Sequence, residues 1–385
     1  MNIFFRTDAS FKIGTGHVMR CLTLAQALRE RGGHCRFICR EHPGNLLDWT
    51  RQAGFESIAL PLSNKRKHVD LAADESVLPH ATWLGSDWQT DASQTIASFR
   101  GCHPDWVIVD HYSLDHRWET QLRTACEKIM VIDDLADRRH DADVLLDQNF
   151  YLDKDRRYQG LLPKHCKALI GPAYFLLRTE FTKAKQGQRT RDGRVKRIIV
   201  FFGGSDPENQ TQTVLDVFKK MRLLGVAVDV VVTQSNPNRH SIKLLCDQLL
   251  GVTYHCNVSN MAELIVNADL GVGAGGSSMW ERCYLGLPTI TVVFAKNQVR
   301  TTEDVAKLGA IEYLGWADLL GGADYQRVIS DLIGNAKKMR QISDTALTVM
   351  QKLGTYSVVD EMLNLQQQKS TMYSSIPPCT IIATN

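Results

Sequence analysis

Short apolar runs alternate with helical patterns along most of this chain, and few architectures accommodate such an alternation. Residues 2–5 (NIFF), 35–39, 106–110 (WVIVD) and 129–133 (IMVID) read as strands, with helices over 17–31, 44–53, 87–100 and 115–127. Val18, Cys21, Leu22, Ala25 and Leu28 fall at helical spacing and should face a core. Repeated strand–helix–strand units build a parallel sheet. The pattern weakens over 134–192, a polar region that runs into basic residues from Lys183 to Arg197, which read as a solvated linker. It restarts with strands at 198–204, 226–232, 269–276 and 289–294 and helices at 207–221, 239–250, 259–268, 277–286 and 298–308. The expectation is an α/β protein with two doubly wound, Rossmann-like domains facing across a cleft, residues 1–185 and 195–366, divided near 186–194. Segments 323–336 and 338–366 look helical, the last returning to the first domain, and 367–385 has no periodicity and reads as a tail without clear structure.

Composition narrows the partners. A net charge of only +3 over 385 residues gives no bulk attraction for nucleic acid. No apolar run approaches the length of a membrane span, so stable membrane insertion is not expected. The ten cysteines form no CxxC pair and mostly sit in apolar runs, as thiols do in a reducing compartment. With no signal peptide in MNIFFRTD, a cytoplasmic protein is expected. His34, Cys35, Cys39 and His42 have the residue types of a zinc set, but CRFICR reads better as a strand with both cysteines on one face. No metal and no cofactor is expected.

Ligands of doubly wound sheets bind beyond the carboxyl ends of the strands, so the loops after strands are where chemistry belongs. Three stand out. FKIGTGHVMR places His17 at the start of a helix behind Gly14 and Gly16. GGSDPENQT follows the strand ending at Phe202; Gly203 and Gly204 let a ligand approach the backbone, Ser205 or Asp206 can cap, and Pro207 suits a first helical turn. GAGGSSMWE leads from Gly275 and Gly276 into a helix whose free N–H groups, with Ser277 and Ser278, would hold an anion. Glu281, one turn on, would accept hydrogen bonds from ribose hydroxyls. GTGH is not the dinucleotide fingerprint, because Gly14 lies too far past the first strand and residue 19 is Met. A Walker loop is also absent.

RTDASFKIGTGHVMRCLTLAQAL (6–28), VDHY (109–112), GGSDPEN (203–209), GAGGSSMWERCYLGLP (273–288) and NQ (297–298) occur in that order. Together they resemble the UDP-2,4-diacetamido-2,4,6-trideoxy-β-L-altropyranose hydrolases of pseudaminic acid biosynthesis, a route to flagellin or surface glycosylation. That family is similar to glycosyltransferases of the GT-B architecture. The resemblance spans about 1–310. It implies a UDP-sugar substrate, His17 as catalytic base, Tyr112 in the sugar site, Asn297 in contact with substrate and Glu281 at the ribose. The stretch 61–90 and the tail depart from the family's pattern.

The chemistry accords with that reading. A nucleoside diphosphate is a good leaving group, and helix N-termini can hold its charge, so no strong acid is required. What remains is to deprotonate water as it attacks the anomeric carbon. An imidazole, whose ordinary value is near 6.5, suits that task, and such help is worth roughly 10²–10⁴-fold. The expected reaction is inverting and metal-independent hydrolysis. Competing readings remain at this stage. His17 could be a polar residue at a helix start, and His111 beside Tyr112 competes for its role. Tyr112 could be strand-end packing, Arg20 a surface arginine or a phosphate ligand, and Asp8 a cap or a loop orienter. Asn297 and Gln298 could cap a helix or bind the sugar or its β-phosphate. A GT-B glycosyltransferase with a UDP-sugar donor and a non-catalytic nucleotide-sugar sensor are the alternative functions.

Overall fold

A computed structural model describes residues 1–63, 78–187, 189–222, 225–350 and 354–374. Its named strands form two sheets, parallel throughout. The first holds β1 (Asn2–Thr7), β2 (His34–Arg40), β3 (Glu56–Leu60), β4 (Trp106–Asp110), β5 (Ile129–Ile132), β6 (Val144–Asp147) and β7 (Lys167–Ile170), in the order β3-β2-β1-β4-β5-β6-β7. The second holds β8 (Arg197–Phe201), β9 (Ala227–Val232), β10 (Val252–Cys256), β11 (Leu270–Ala274), β12 (Thr289–Val293) and β13 (Glu312–Trp316), in the order β10-β9-β8-β11-β12-β13. Each order reverses once, between β1 and β4 and between β8 and β11. Loops leaving those strands diverge to opposite faces and open a crevice. This is the GT-B arrangement of two doubly wound domains.

Both faces of each sheet are covered. Ile3 and Phe5 of β1 enter one buried cluster with Val18, Cys21, Leu22, Ala25 and Leu28 of the helix Gly16–Glu30, while Phe4 between them enters another with Trp118. Ile198 and Val200 of β8 face one cluster and Ile199 the other. Each fully buried side chain of this size contributes roughly 1.5–3 kcal/mol. Cys35 and Cys39 lie in the same cluster, as the strand reading requires.

Several expectations change. The region 134–192 contains β6 and β7, four-residue strands too short to show a pattern. The helix after GGSDPENQT begins at Gln210, because Asp206 and Asn209 hold positive φ and keep Pro207 outside it. The helix Thr179–Gln186, left by the sequence reading in the first unit, buries Phe181 with Met261 and Trp280 of the second. The last helix, Gly354–Ser374, returns to the first domain as expected and buries Val358, Val359 and Met362 against the first sheet's core. That helix also makes the first part of the expected tail, 367–374, helical. The remainder of the tail, 375–385, and residues 64–77 of the stretch 61–90 lie outside the described residues.

The basic run is not a solvated linker throughout. Arg191 is buried and donates to the carbonyls of Ala268, Leu285, Gly286 and Ile265. Those carbonyls end two helices, Met261–Asn267 and Ser277–Tyr284, where unpaired C=O groups favour a cation.

Candidate active site

The first crevice opens between the ends of β1 and β4, whose register pairs Thr7 with Asp110. Past Thr7 the chain makes a tight loop. Ser10 Oγ accepts from the N–H groups of Lys12 and Ile13, and Gly14 N donates to Ser10 O at 2.8 Å. Gly14 turns the chain with φ +82°, a conformation that favours glycine. Gly16 then opens the helix, and His17 sits in its first turn, above the end of β4.

His17 Nδ1 lies 2.6 Å from Asp110 Oδ1. Arg20, one turn along the same helix, grips that carboxylate from the side, with Nε 2.6 Å from Oδ2 and Nη2 2.7 Å from Oδ1. Burial would raise the Asp110 carboxyl, but Arg20 and His17 outweigh it and hold it well below the usual carboxylate range. An ionised carboxylate only accepts, so Nδ1 of His17 carries a proton and donates it to Asp110. In the neutral ring the lone pair is then on Nε2, which is the geometry of a general base steered by an acid behind it.

Arg20 Nη1 continues to Asp134 Oδ2 at 3.2 Å, and the Tyr112 hydroxyl donates to Asp134 Oδ1. The Tyr112 ring meets the His17 imidazole edge-on, with centroids 4.6 Å apart and planes at 85°. Burial first, and then the Asp134 charge, push the Tyr112 phenol well up, so it stays protonated. Asn149 Nδ2 reaches Asp134 Oδ2 at 3.5 Å, while its Oδ1 accepts from Trp280 Nε1 at 2.9 Å. Trp280 belongs to the second domain. A second link crosses the cleft where Asn297 Nδ2 donates to the Tyr112 hydroxyl at 3.2 Å. Both domains thus grip one network that ends at His17.

The competing readings separate here. His111 faces away from this cluster: its Nδ1 accepts from Ser113 N at 3.1 Å and its Nε2 stands 3.2 Å from Asp8 Oδ2. Burial pushes its imidazole down, with Asp8 opposing. Asp8 is itself a fully buried fastener between strand ends, holding Arg6 through two bonds and Arg40 N at 2.6 Å. Arg20 is neither a surface residue nor free for phosphate, since both its faces are occupied by carboxylates.

The second crevice lies between β8 and β11. Gly204 and Ser205 are exposed there, and Thr233 and Ser235 both donate to Gly204 O. Asp206, rather than Ser205, caps the following helix by accepting from Gln210 N and Thr211 N, each at 2.9 Å. Opposite, the helix Ser277–Tyr284 starts at Gly276 with no side-chain cap, which leaves N–H groups of its first turn for a ligand. Ser277 is exposed, while Ser278 is buried and accepts from Arg282 Nη1 at 3.3 Å. A Cβ on Gly276 would stand 3.4 Å from Gln298 Nε2, so the glycine keeps that amide close to the loop. Gln298 Oε1 accepts from Phe294 N at 3.0 Å, a capping role that leaves its amide nitrogen toward the cleft. Glu281 pairs with Arg178 at 2.9 Å. Burial raises its carboxyl and Arg178 opposes that rise.

Asp110, Asp134, Asn149 and Trp280 escape the sequence reading as parts of this network.

Residues 198–362 match the glycosyltransferase family 28 C-terminal domain. The chain is 24% identical over 314 residues to an uncharacterized protein of Methanocaldococcus jannaschii, covering 80% of this chain but only 58% of that protein. It is 26% identical over 318 residues to UDP-2,4-diacetamido-2,4,6-trideoxy-beta-L-altropyranose hydrolase of Campylobacter jejuni, covering 81% of this chain and 99% of that enzyme. Among solved structures, MurG of Acinetobacter baumannii superposes with a TM-score of 0.64 at 12% identity, over 94% of this chain and 99% of MurG. Among the described residues, no helix is long and apolar enough to cross a membrane. The resemblance carried by the motifs therefore extends over four-fifths of the sequence: this is a chain of the GT-B fold, whose residues 198–362 are similar to the glycosyltransferase family 28 C-terminal domain and whose sequence is similar to the Campylobacter UDP-sugar hydrolase.

Proposed function

We propose that the chain hydrolyses a UDP-sugar of the 2,4-diacetamido-2,4,6-trideoxyhexose class to UDP and free sugar. The observation that carries this reading is the His17–Asp110 pair at 2.6 Å, with Nε2 of His17 left as base beside Tyr112 and Asn297. The diphosphate would lie along the uncapped first turn at Ser277, with Gly204, Ser205 and Gln298 around it. The sugar would reach across to Gly14, Gly16, Tyr112 and Asn297. Water attacks the anomeric carbon from the side opposite the diphosphate. Its proton passes to His17 Nε2 as the bond from the anomeric carbon to the diphosphate oxygen breaks. UDP departs with that electron pair, and the backbone N–H groups stabilise its charge. One displacement inverts the anomeric centre. No step calls for a metal ion. The described cysteines are unpaired and mostly buried, which fits a cytoplasmic site of action.

A glycosyltransferase reading is favoured by one observation, the match of residues 198–362 to a glycosyltransferase domain. In that case an acceptor hydroxyl replaces water at His17. Product analysis in ¹⁸O-labelled water with EDTA separates the two. Label in the free sugar and none in UDP is expected. Label in UDP would mean attack at phosphorus, and turnover only after an acceptor is supplied would make the enzyme a transferase.

A further inference from the structure

We propose that His80 and Trp83 form, with Tyr112, an aromatic shelf beside the catalytic histidine that selects sugars with methyl-bearing substituents over fully hydroxylated ones. The His80 and Trp83 rings lie 4.4 Å apart, and His80 stands 5.3 Å from the Tyr112 ring. Trp83 and Tyr112 are 5.9 Å apart and inclined by only 30°, so their faces run nearly parallel. Tyr112 also packs against His17, and its hydroxyl meets Asn297 from the other domain, which places the shelf on the cleft.

The shelf is fixed by its own contacts. It rides on the turn Ala81–Trp83, between the catalytic loop and β4. Ser113, three residues past the end of β4, donates to His80 O, and Lys12 Nζ lies 3.4 Å from Thr82 Oγ1. Leu84, next in the chain, is buried in the core beneath. His80 and Trp83 are themselves only half-buried, so their rings have area left to cover. Burial also pushes the His80 imidazole down, which favours an uncharged ring.

Aromatic faces pair with C–H groups and methyls and offer a hydroxyl no replacement for its water. A sugar with a methyl at C6 and two acetamido groups presents methyl groups; glucose has none. One methyl group in an apolar pocket discriminates by roughly 10–200-fold. The proposal rests on the UDP-sugar part of the function argued above, though not on hydrolysis.

Binding tests it without turnover. In a His17→Asn background, calorimetry would compare UDP, UDP-glucose and UDP-2,4-diacetamido-2,4,6-trideoxy-β-L-altropyranose, with Trp83 intact, as Trp83→Ala and as Trp83→Phe. Trp83→Ala should weaken the diacetamido sugar nucleotide about tenfold, leave UDP unchanged and narrow the preference over UDP-glucose. Trp83→Phe should restore most of that loss. An unchanged preference in Trp83→Ala, or equal loss of UDP binding, overturns the shelf alone. With Trp83 intact, failure to bind any of the three overturns the UDP-sugar reading beneath it. Selective binding without hydrolysis by the wild type keeps the shelf and removes only the hydrolase.

Discussion

His17 and Asp110 are 93 positions apart in the chain, yet their side chains meet at 2.6 Å because β1 and β4 are neighbours at the point where the first sheet reverses its strand order. Asp110 serves two partners at once. Arg20 neutralises it and His17 Nδ1 donates to it, so the carboxylate orients the ring with part of its charge already committed. Asp110→Asn preserves the shape but places an amide where two donors need an acceptor. The expected result is a fall in kcat of roughly 10²–10⁴-fold with little change in KM. Stability should fall as well, because Arg20 loses its main partner, by about 3–5 kcal/mol if the pair behaves as a buried one. Kinetics measured well below the unfolding temperature separate the two effects. A folded Asp110→Asn protein with wild-type kcat would remove the pair from the mechanism.

The Tyr112 hydroxyl is one of the two points described above where the domains touch across the site. It donates to Asp134 and accepts from Asn297 at 3.2 Å. Tyr112→Phe keeps the ring against His17 and removes only these bonds. Losing them should cost about 1–3 kcal/mol, read as roughly a 5- to 150-fold drop in kcat/KM. Asn297→Ala should act through the same bond, so the double variant should be little worse than the more damaging single one. Inhibition by UDP, which needs no sugar contact, should be unaltered in Tyr112→Phe. Strictly additive losses in the double variant would show that the two residues act separately on substrate.

Much of this arrangement is legible in the sequence. The apolar runs at 2–5, 106–110 and 198–204 announced parallel strands, and the glycine loops following the first and the last of them lie at the reversals of the two sheets. His17 was visible because a histidine behind spaced glycines at a helix start has few dull explanations. Its partner was not, since an aspartate ending a strand is common and register alone decides what it faces. Asp134 and Asn149 looked like ordinary loop residues; their roles come from strands of four residues that carry too little pattern to read. Arg191 misled for the opposite reason. Among basic neighbours it resembled a solvated charge, and only the packing of two helix ends around it shows why it is buried.

Buried titrating groups in the first domain set a direction for stability against pH. Asp147 is pushed up to about 7 by burial and then by the Asp134 charge, against the pull of Arg157. An unfolded aspartate titrates near 3.9, so the native state holds an extra proton between these values and loses stability as pH rises through that range. His140 is raised as well: burial would lower it, but Glu119 at 2.7 Å outweighs burial. A raised histidine contributes stability that is fully present below its unfolded value, near 6.5, and disappears as pH climbs through its folded one. His111, lowered by burial, has the opposite sign, but only below about 6.5. Above that point nothing in this trio opposes the decline. Denaturant unfolding should therefore show stability falling as pH rises from about 6.5 through about 7, by at most about 1.4 kcal/mol per pH unit for each group. Asp147→Asn should flatten part of that slope, and Asp147→Asn with His140→Gln most of it. Should the wild type instead gain stability over this range, the protonated state assigned to Asp147 would be wrong, and Arg157 at 2.8 Å would have to hold it ionised.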